Sequence, residues 1–241
     1  MLRDPAVFTV IIPTLQRAPE LWPLVDQCAR HPLVHEVLVI NNSDSPLFWE
    51  CAKVRVLQQE ANIFVNPAWN LGVREAVGRF VAIVNDDVLF DDEVFDEAAR
   101  VLQRGLFGMV VPDRSCFQAG RWDKPISHRL ATGRLNLVWG TFMALRRTDY
   151  RPVPDSLLIW GGDDYLYWSQ RKPNAVLIRT QFRTTMGTTS SSPEFQSLRR
   201  REYEETMAIV GALYRWWHAP VKALDWLKRT RHRFSRSRIL G

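Results

Sequence analysis

Apolar residues along this chain come in short β-branched runs that alternate with stretches of helical spacing. Val7-Phe8-Thr9-Val10-Ile11-Ile12 is such a run and stops at Pro13, the pattern of a strand buried on both faces. From about Glu20 to Arg30 the apolar positions Leu21, Leu24, Val25 and Cys28 follow a helical period. Val37-Leu38-Val39-Ile40 predicts a second buried strand, closed by the turn-forming run Asn41-Asn42-Ser43-Asp44-Ser45-Pro46. Val54-Arg55-Val56-Leu57 predicts a shorter third strand. Asn66 or Pro67 opens a helix to about Val77, and Phe80-Val81-Ala82-Ile83-Val84 is a strand running straight into Asn85-Asp86-Asp87.

The pattern continues with a helix over about Asp92 to Arg104 and a strand over Met109 to Val111. It then weakens, and a mobile loop is expected to about Asn136. Two apolar stretches, Leu137 to Leu145 and Ala175 to Ile178, flank Trp160-Gly161-Gly162-Asp163-Asp164-Tyr165. A last helix is expected from about Glu194 to Trp217, broken by Ala219-Pro220. Alternating strands and helices argue for an α/β fold with an open, mostly parallel sheet and helices on both faces.

Composition narrows the picture. With 241 residues, 46% apolar and 24% charged, the chain has material for one large core. No run reaches the roughly 18 apolar residues of a membrane span, and no secretory leader is expected. Three separated cysteines form neither a disulfide framework nor a CxxC pattern, which fits a reducing, cytoplasmic setting. The five histidines lack metal-ligand spacing, so a zinc hydrolase is excluded. Of the 32 Lys and Arg, 11 lie in residues 199–241 with only 4 of the 26 Asp and Glu, so the net charge of +6 belongs to the tail. The body carries no nucleic-acid-binding surface. The tail from Val221 to Arg238 mixes Leu224, Trp226, Leu227 and Phe234 with seven cations, among them Lys222, Lys228 and Arg229. Such a stretch either lies on the anionic inner face of a membrane or packs on the domain with a solvated end.

In open α/β sheets ligands sit beyond the carboxyl ends of the strands. Pro13-Thr14, Asn41 to Asp44 and Asn85-Asp86-Asp87 all fall there. Adjacent carboxylates at a buried strand tip repel one another unless a cation neutralises them, and Mg²⁺ or Mn²⁺ would do so while bridging a diphosphate. The alternative, capping of the next helix, is already served by Asp91, Asp92 and Glu93. Trp160-Gly161-Gly162-Asp163-Asp164 reads two ways: a close-approach backbone beside a general base, or a glycine turn before an acidic helix start.

Taken together, Phe8 to Thr14, Val37 to Asp44, Ala61-Asn62 through Asn70-Leu71-Gly72-Val73 into Asp86-Asp87, Gly140-Thr141-Phe142-Met143 with Arg146-Arg147, and Trp160 to Asp164 resemble the family 2 glycosyltransferases. The resemblance covers about residues 7 to 190 and implies a GT-A type mixed sheet over 1–193. Residues 1–112 would form the nucleotide-binding half and 113–193 the acceptor half, with a basic helical extension over 194–241. It implies a UDP-, GDP- or dTDP-sugar donor, contacted by Pro13, Thr14, Asn41, Asn42 and Asn70, with Asp86 facing the ribose or sugar. Asp87 would hold the metal, Asp164 would be the base, Asp163 would take the place of the family's glutamate, and Trp160, Gly161 and Gly162 would line the acceptor side. The acceptor would be a saccharide or lipid-linked hydroxyl in cell-surface glycan or glycolipid synthesis, and transfer would invert the anomeric centre.

The chain departs from the family at three places. Asn41-Asn42 stands where acids are frequent, Phe64 stands where glycine is common, and no histidine occurs near Met186-Gly187. Two other classes remain in view. A nucleotidyltransferase would need a glycine-rich loop, which Pro13-Thr14-Leu15-Gln16-Arg17 is not; a degenerate, glycan-binding scaffold would need neither acid pair.

Overall fold

The computed structural model describes residues 7–118, 120, 122–132, 139–185, 196–213 and 215–237. In chain order the main elements are β1 (Phe8–Thr14), α1 (Leu21–Arg30), β2 (Val34–Asn41), β3 (Val54–Gln58), α2 (Val65–Glu75), β4 (Phe80–Val84), β5 (Val88–Phe90) and α3 (Glu93–Arg104). There follow β6 (Met109–Pro112), β7 (Ser127–Leu130), β8 (Phe142–Arg146), α4 (Gly162–Ser169), β9 (Ala175–Ile178), β10 (Phe182–Thr184), α5 (Gln196–Ala212) and α6 (His218–Ser237).

Eight strands form one mixed sheet in the order β3-β2-β1-β4-β8-β6-β9-β7. The strands β3, β2, β1 and β4 are parallel, β8 runs against β4 and β6, β9 is parallel to β6, and β7 is antiparallel at the edge. The period of two sorts neighbouring residues to opposite faces. Val10 and Ile12 join one core with α1 and α3, while Ile11 joins the other with α2, α4 and α6; Val37 and Val39 divide from Leu38 and Ile40 in the same way. Both faces are therefore covered, which is why the central strands are apolar throughout.

The structure corrects several sequence-based expectations. The stretch after Pro112 is not a featureless loop, because Ser127–Leu130 pairs antiparallel with β9 as the sheet's edge strand. Its polar, half-exposed residues hide the strand pattern. A small two-stranded sheet of β5 and β10, three residues each, also escapes periodicity. Asp91 and Asp92 do not cap α3 through their side chains. Asp91 instead accepts from Thr180 Oγ1 and Gln181 N, holding the start of β10, while Asp92 accepts from Gln27. Pro220 does not end a helix; it lies in the first turn of α6, where a missing N–H costs nothing. The break falls earlier, where Trp217 stacks on Trp168 at 5.6 Å and donates Nε1 to Gln170 O. Among the described residues no helix is long and apolar enough to cross a membrane.

Candidate functional site

Because β1, β2 and β4 are parallel, their carboxyl ends meet at one edge. Pro13 is buried within β1 opposite Ile40, and Thr14 follows at the tip. Thr14 Oγ1 donates to Asp86 Oδ2 at 2.6 Å and accepts from Gln16 N at 2.8 Å. Asp86 and Asp87 are both buried. Removal from water pushes the Asp86 carboxyl up to about 6; the Thr14 hydrogen bond works against that rise, and the neighbouring Asp87 charge adds to it. Two buried hard-oxygen groups of like charge suit a divalent ion that takes its remaining ligands from phosphate and water. Among the described residues no cluster of three or more His, Cys, Asp or Glu side chains accompanies them.

Asn41, expected to contact the base, is engaged within the protein. It is fully buried, and its amide is saturated: Nδ2 donates to Ser45 O and Gln58 Oε1, and Oδ1 accepts from Gln16 Nε2 and Ser43 N. Its work is to fold the turn after β2. Asn42 differs. Its backbone N–H binds Thr14 O at 2.8 Å and its Nδ2 reaches Phe64 O, but its buried Oδ1 has no hydrogen-bond partner. Asn42 lines a cavity of about 390 Å³ with Leu15, Arg17, Ser43, Asp44, Asn62 and Phe64.

The second acid cluster is carried by the start of α4. Gly161 has φ +76°, and a Cβ there would lie 1.8 Å from Thr206 Oγ1, so only glycine fits. A Cβ on Gly162 would lie 2.1 Å from Asn66 Oδ1. Asp163 and Asp164 occupy the first turn of α4 and are half-buried. Desolvation raises the Asp163 carboxyl above the usual carboxylate range, although it accepts backbone hydrogen bonds, one of them from Gly140. Gly140 is followed by Thr141, whose carbonyl accepts from Asn85 N at 3.1 Å. The segment Gly140–Thr141 thus joins the two acid clusters, and Asp163 sits across it from Asp86-Asp87.

Two helices grip the loop that precedes Gly161. Glu202 of α5, fully buried, accepts the backbone N–H groups of Leu158, Ile159 and Trp160 at 3.1, 3.0 and 2.9 Å. From the other side Asn66 of α2 donates to the carbonyls of Leu157 and Trp160. Asn70, expected on the nucleotide side, lies one turn further on. It pairs with Val153 through both its N–H and its carbonyl and accepts from Tyr150 Oη, so it pins the same connection. Asn66, Glu202 and Thr206 escape the sequence reading. The spacing of Asn66 and Asn70 on a helix that is otherwise apolar until Arg74 is a signal that was there to use, whereas Glu202 is lost in the charged run Arg199 to Glu205. Within the stretch 194–241, α5 thus packs against the loop that leads into α4.

Pairing of Thr184 with Val88 brings the end of β10 beside Asp87. The expectation at Met186-Gly187 lies outside the described residues. Trp217, just before α6, and His218 and Val221 on it are buried against the domain, while Leu224, Trp226 and Leu227 are exposed; side chains from 228 onward lie outside the description.

The profile of glycosyl transferase family 2 matches residues 9–206. No curated protein sequence matches the chain significantly. Among solved structures, S. aureus TarS 1-349 superposes with a TM-score of 0.58 at 15% identity, covering 85% of this chain and 64% of that one. TarS 1-349 in complex with UDP-GlcNAc gives 0.56 at 17% identity, covering 83% and 66%. GalNAc-T7 with UDP, GalNAc and Mn²⁺ gives 0.62 at 13% identity, covering 95% and 51%. At these identities the likeness is one of fold, and the chain spans less than two-thirds of the first structure's length.

Proposed function

We infer that this chain, which belongs to glycosyl transferase family 2, moves a hexose from a nucleotide-diphosphate donor to an acceptor hydroxyl with inversion at the anomeric carbon. The observation that carries the reading is the Gly140–Thr141 bridge, which holds the α4 acids across from the Asp86-Asp87 strand tip. One cluster suits the leaving diphosphate and the other the incoming nucleophile.

The nucleotide base occupies the cavity beside Asn42, and the UDP-bound neighbours TarS and GalNAc-T7 make a uridine nucleotide the first candidate. Asp86, tied to Thr14, faces the ribose or sugar. Asp87 would hold Mg²⁺ or Mn²⁺, whose chemistry there would be to offset negative charge on the leaving diphosphate. Asp164 takes the proton from the acceptor oxygen as that oxygen bonds to the anomeric carbon and the diphosphate departs with the bonding pair; such assistance is worth about 10²–10⁴ in rate. Asp163 anchors the start of α4 against Gly140. Trp160, Gly161 and Gly162 line the acceptor side, where the absence of two Cβ atoms lets Thr206 and Asn66 pack directly against the loop. The acceptor is a saccharide or lipid-linked glycan of the cell surface, and α6 rests on an anionic, cytoplasm-facing membrane.

A thermal-shift screen of UDP, GDP, dTDP and CMP with and without Mn²⁺ tests the donor half. A nucleoside diphosphate should raise the melting temperature with the ion and less without it. No shift with any of the four would remove the reading.

A further inference from the structure

Arg146-Arg147 follow Gly140 to Met143 in sequence but stand at the other end of the sheet. β8 is antiparallel to β4, so Phe142 lies level with Val84 at the strand tips and Arg146 level with Phe80 at the opposite edge. There Arg146 Nη1 donates to Phe107 O, while Arg147 donates its N to Arg79 O and its Nε to Gly78 O. α1, α2 and α3 all end at this edge, with Arg30, Arg74 and Arg104 in their last turns. A cation at a helix carboxyl end offsets the helix dipole, which accounts for those three. It does not account for Arg79, Arg147, Arg171 and Lys172, which come from loops and strand ends. Arg79, Arg104 and Arg171 are exposed, and no carboxylate pairs with them among the described residues. Two apolar side chains stand in water among these cations: Val77, 60% exposed just past α2, and Leu106, 67% exposed just past α3. Lys172 Nζ reaches Gly105 O, and the next carbonyls along, Gln170 and Ser169, accept from Trp217 Nε1 and Arg215 Nε. The basic edge therefore continues into Trp216, 66% exposed, and the start of α6. Asp86, Asp87, Asp163 and Asp164 all lie at the opposite edge, so a body that is close to neutral by count is sorted by charge.

We propose that this edge of the folded domain docks on an anionic phospholipid surface, with α6 as its continuation, so that the strand tips and both acid clusters point away from the bilayer. Unpaired cations attract lipid phosphates, Val77, Leu106 and Trp216 fit the headgroup layer, and the sorted charge turns the acids outward. Each cation near such a surface raises affinity about fivefold, too little for a firm anchor without α6. This rests on the reading of α6 as membrane-facing, and it adds a docking surface on the domain itself and a fixed orientation. The five residues of β4 separate the two edges by about 15 Å. The acceptor hydroxyl therefore belongs to a soluble saccharide or to the outer end of a glycan, not to the sugar beside a lipid headgroup.

Titration with vesicles containing phosphatidylserine compares the full chain with the triple variant Arg79→Gln, Arg104→Gln, Arg171→Gln. Arg200→Gln, an exposed change on α5, is the control. The triple variant should need roughly 30- to 150-fold more lipid for half-binding, and the control as much as wild type. Melting temperatures should agree, because all three arginines are exposed. Orientation is read from an environment-sensitive dye on a single introduced cysteine in a Cys51→Ser background, where Cys28 and Cys116 are buried. On vesicles the emission should shift to the blue at Leu106→Cys and stay unchanged at Asp44→Cys, beside the strand tips. Equal lipid binding by wild type and the triple variant, with a silent dye at 106, would overturn the docking edge and leave α6 as the contact. A shift at 44 as large as that at 106 would overturn the orientation. If the full chain ignores the vesicles, the reading of α6 fails and takes the docking edge with it. Tighter binding to a mixed-sequence RNA than to the vesicles would overturn the choice of partner.

Discussion

Glu202 accepts a 2.9 Å hydrogen bond from the backbone N–H of Trp160, with its two companion bonds to Leu158 and Ile159 completing a three-donor nest. A buried carboxylate placed this way fixes a loop more firmly than packing alone, because each unpaired N–H would cost free energy in the interior. Glu202→Ala should destabilise the protein by roughly 3 kcal/mol. Glu202→Gln should raise the acceptor KM and lower kcat while nucleotide affinity stays put. Hydrogen exchange at residues 158–160 should accelerate in both variants; unchanged exchange would show that the carboxylate is not the anchor.

Replacing Asp87 by alanine should abolish transfer together with ion-dependent donor binding. Asp164→Asn should leave donor binding intact and slow transfer by about 10²–10⁴. Single-turnover assays with radiolabelled donor separate the two effects. Near-normal turnover in the Asp164→Asn protein would reassign the base.

Gly162→Ala places a methyl 2.1 Å from Asn66 Oδ1, which cannot retreat without releasing Leu157 and Trp160. The expected cost is roughly 1–3 kcal/mol, measured by denaturant melts. Gly211→Ala, with open space around its position, is the control and should be neutral or slightly stabilising.

His218 is held below its ordinary 6.5 by burial, helped by Lys222 and Arg215 and opposed by its hydrogen bond to the Trp168 carbonyl. Its folded form thus prefers the neutral ring. Between the lowered folded value and 6.5 the unfolded state binds more protons, so stability rises with pH across that window and is lost as pH falls through it. The stacked Trp168–Trp217 pair should report loosening of α6 as a change in near-ultraviolet circular dichroism below pH 6.5. A His218→Asn protein should lack the step.

Leu224, Trp226 and Leu227 are 41%, 64% and 49% exposed on α6, a helix whose sequence is rich in Lys and Arg. The full chain should float with vesicles containing phosphatidylserine, lose that binding in high salt, and ignore neutral vesicles. Removal of residues 222–241 spares the buried Trp217, His218 and Val221 and should end the association. Equal flotation by both forms would relieve the tail of that role.

The strands that build the site are legible because apolar β-branched runs bounded by polar tips leave few other readings; Asp86 and Asp87 stood out for the same reason. The hydrogen bonds of Asn41 and Asn70 were not legible because an amide looks the same in sequence whether it faces a ligand or saturates a turn. Only coordinates reveal that Ser45, Gln58, Gln16 and Ser43 already claim Asn41. Glu202 was hidden for the opposite reason, since a charged residue among charged neighbours is normally solvated. Nothing local marks the backbone it meets some forty positions earlier. Phe64 was visible as a departure from its family, but its φ of 67° is a dihedral angle that no sequence prints.

Asn41 and Gln58 face each other as amide to amide across the edge of the sheet. An aspartate at Asn41 would set an acceptor against Gln58 Oε1 and Ser45 O, which are acceptors too. Gln58 could answer only by turning its own amide and abandoning the carbonyls of Ser43 and Gln59. A carboxylate at 41 therefore keeps the turn intact only if position 58 changes with it.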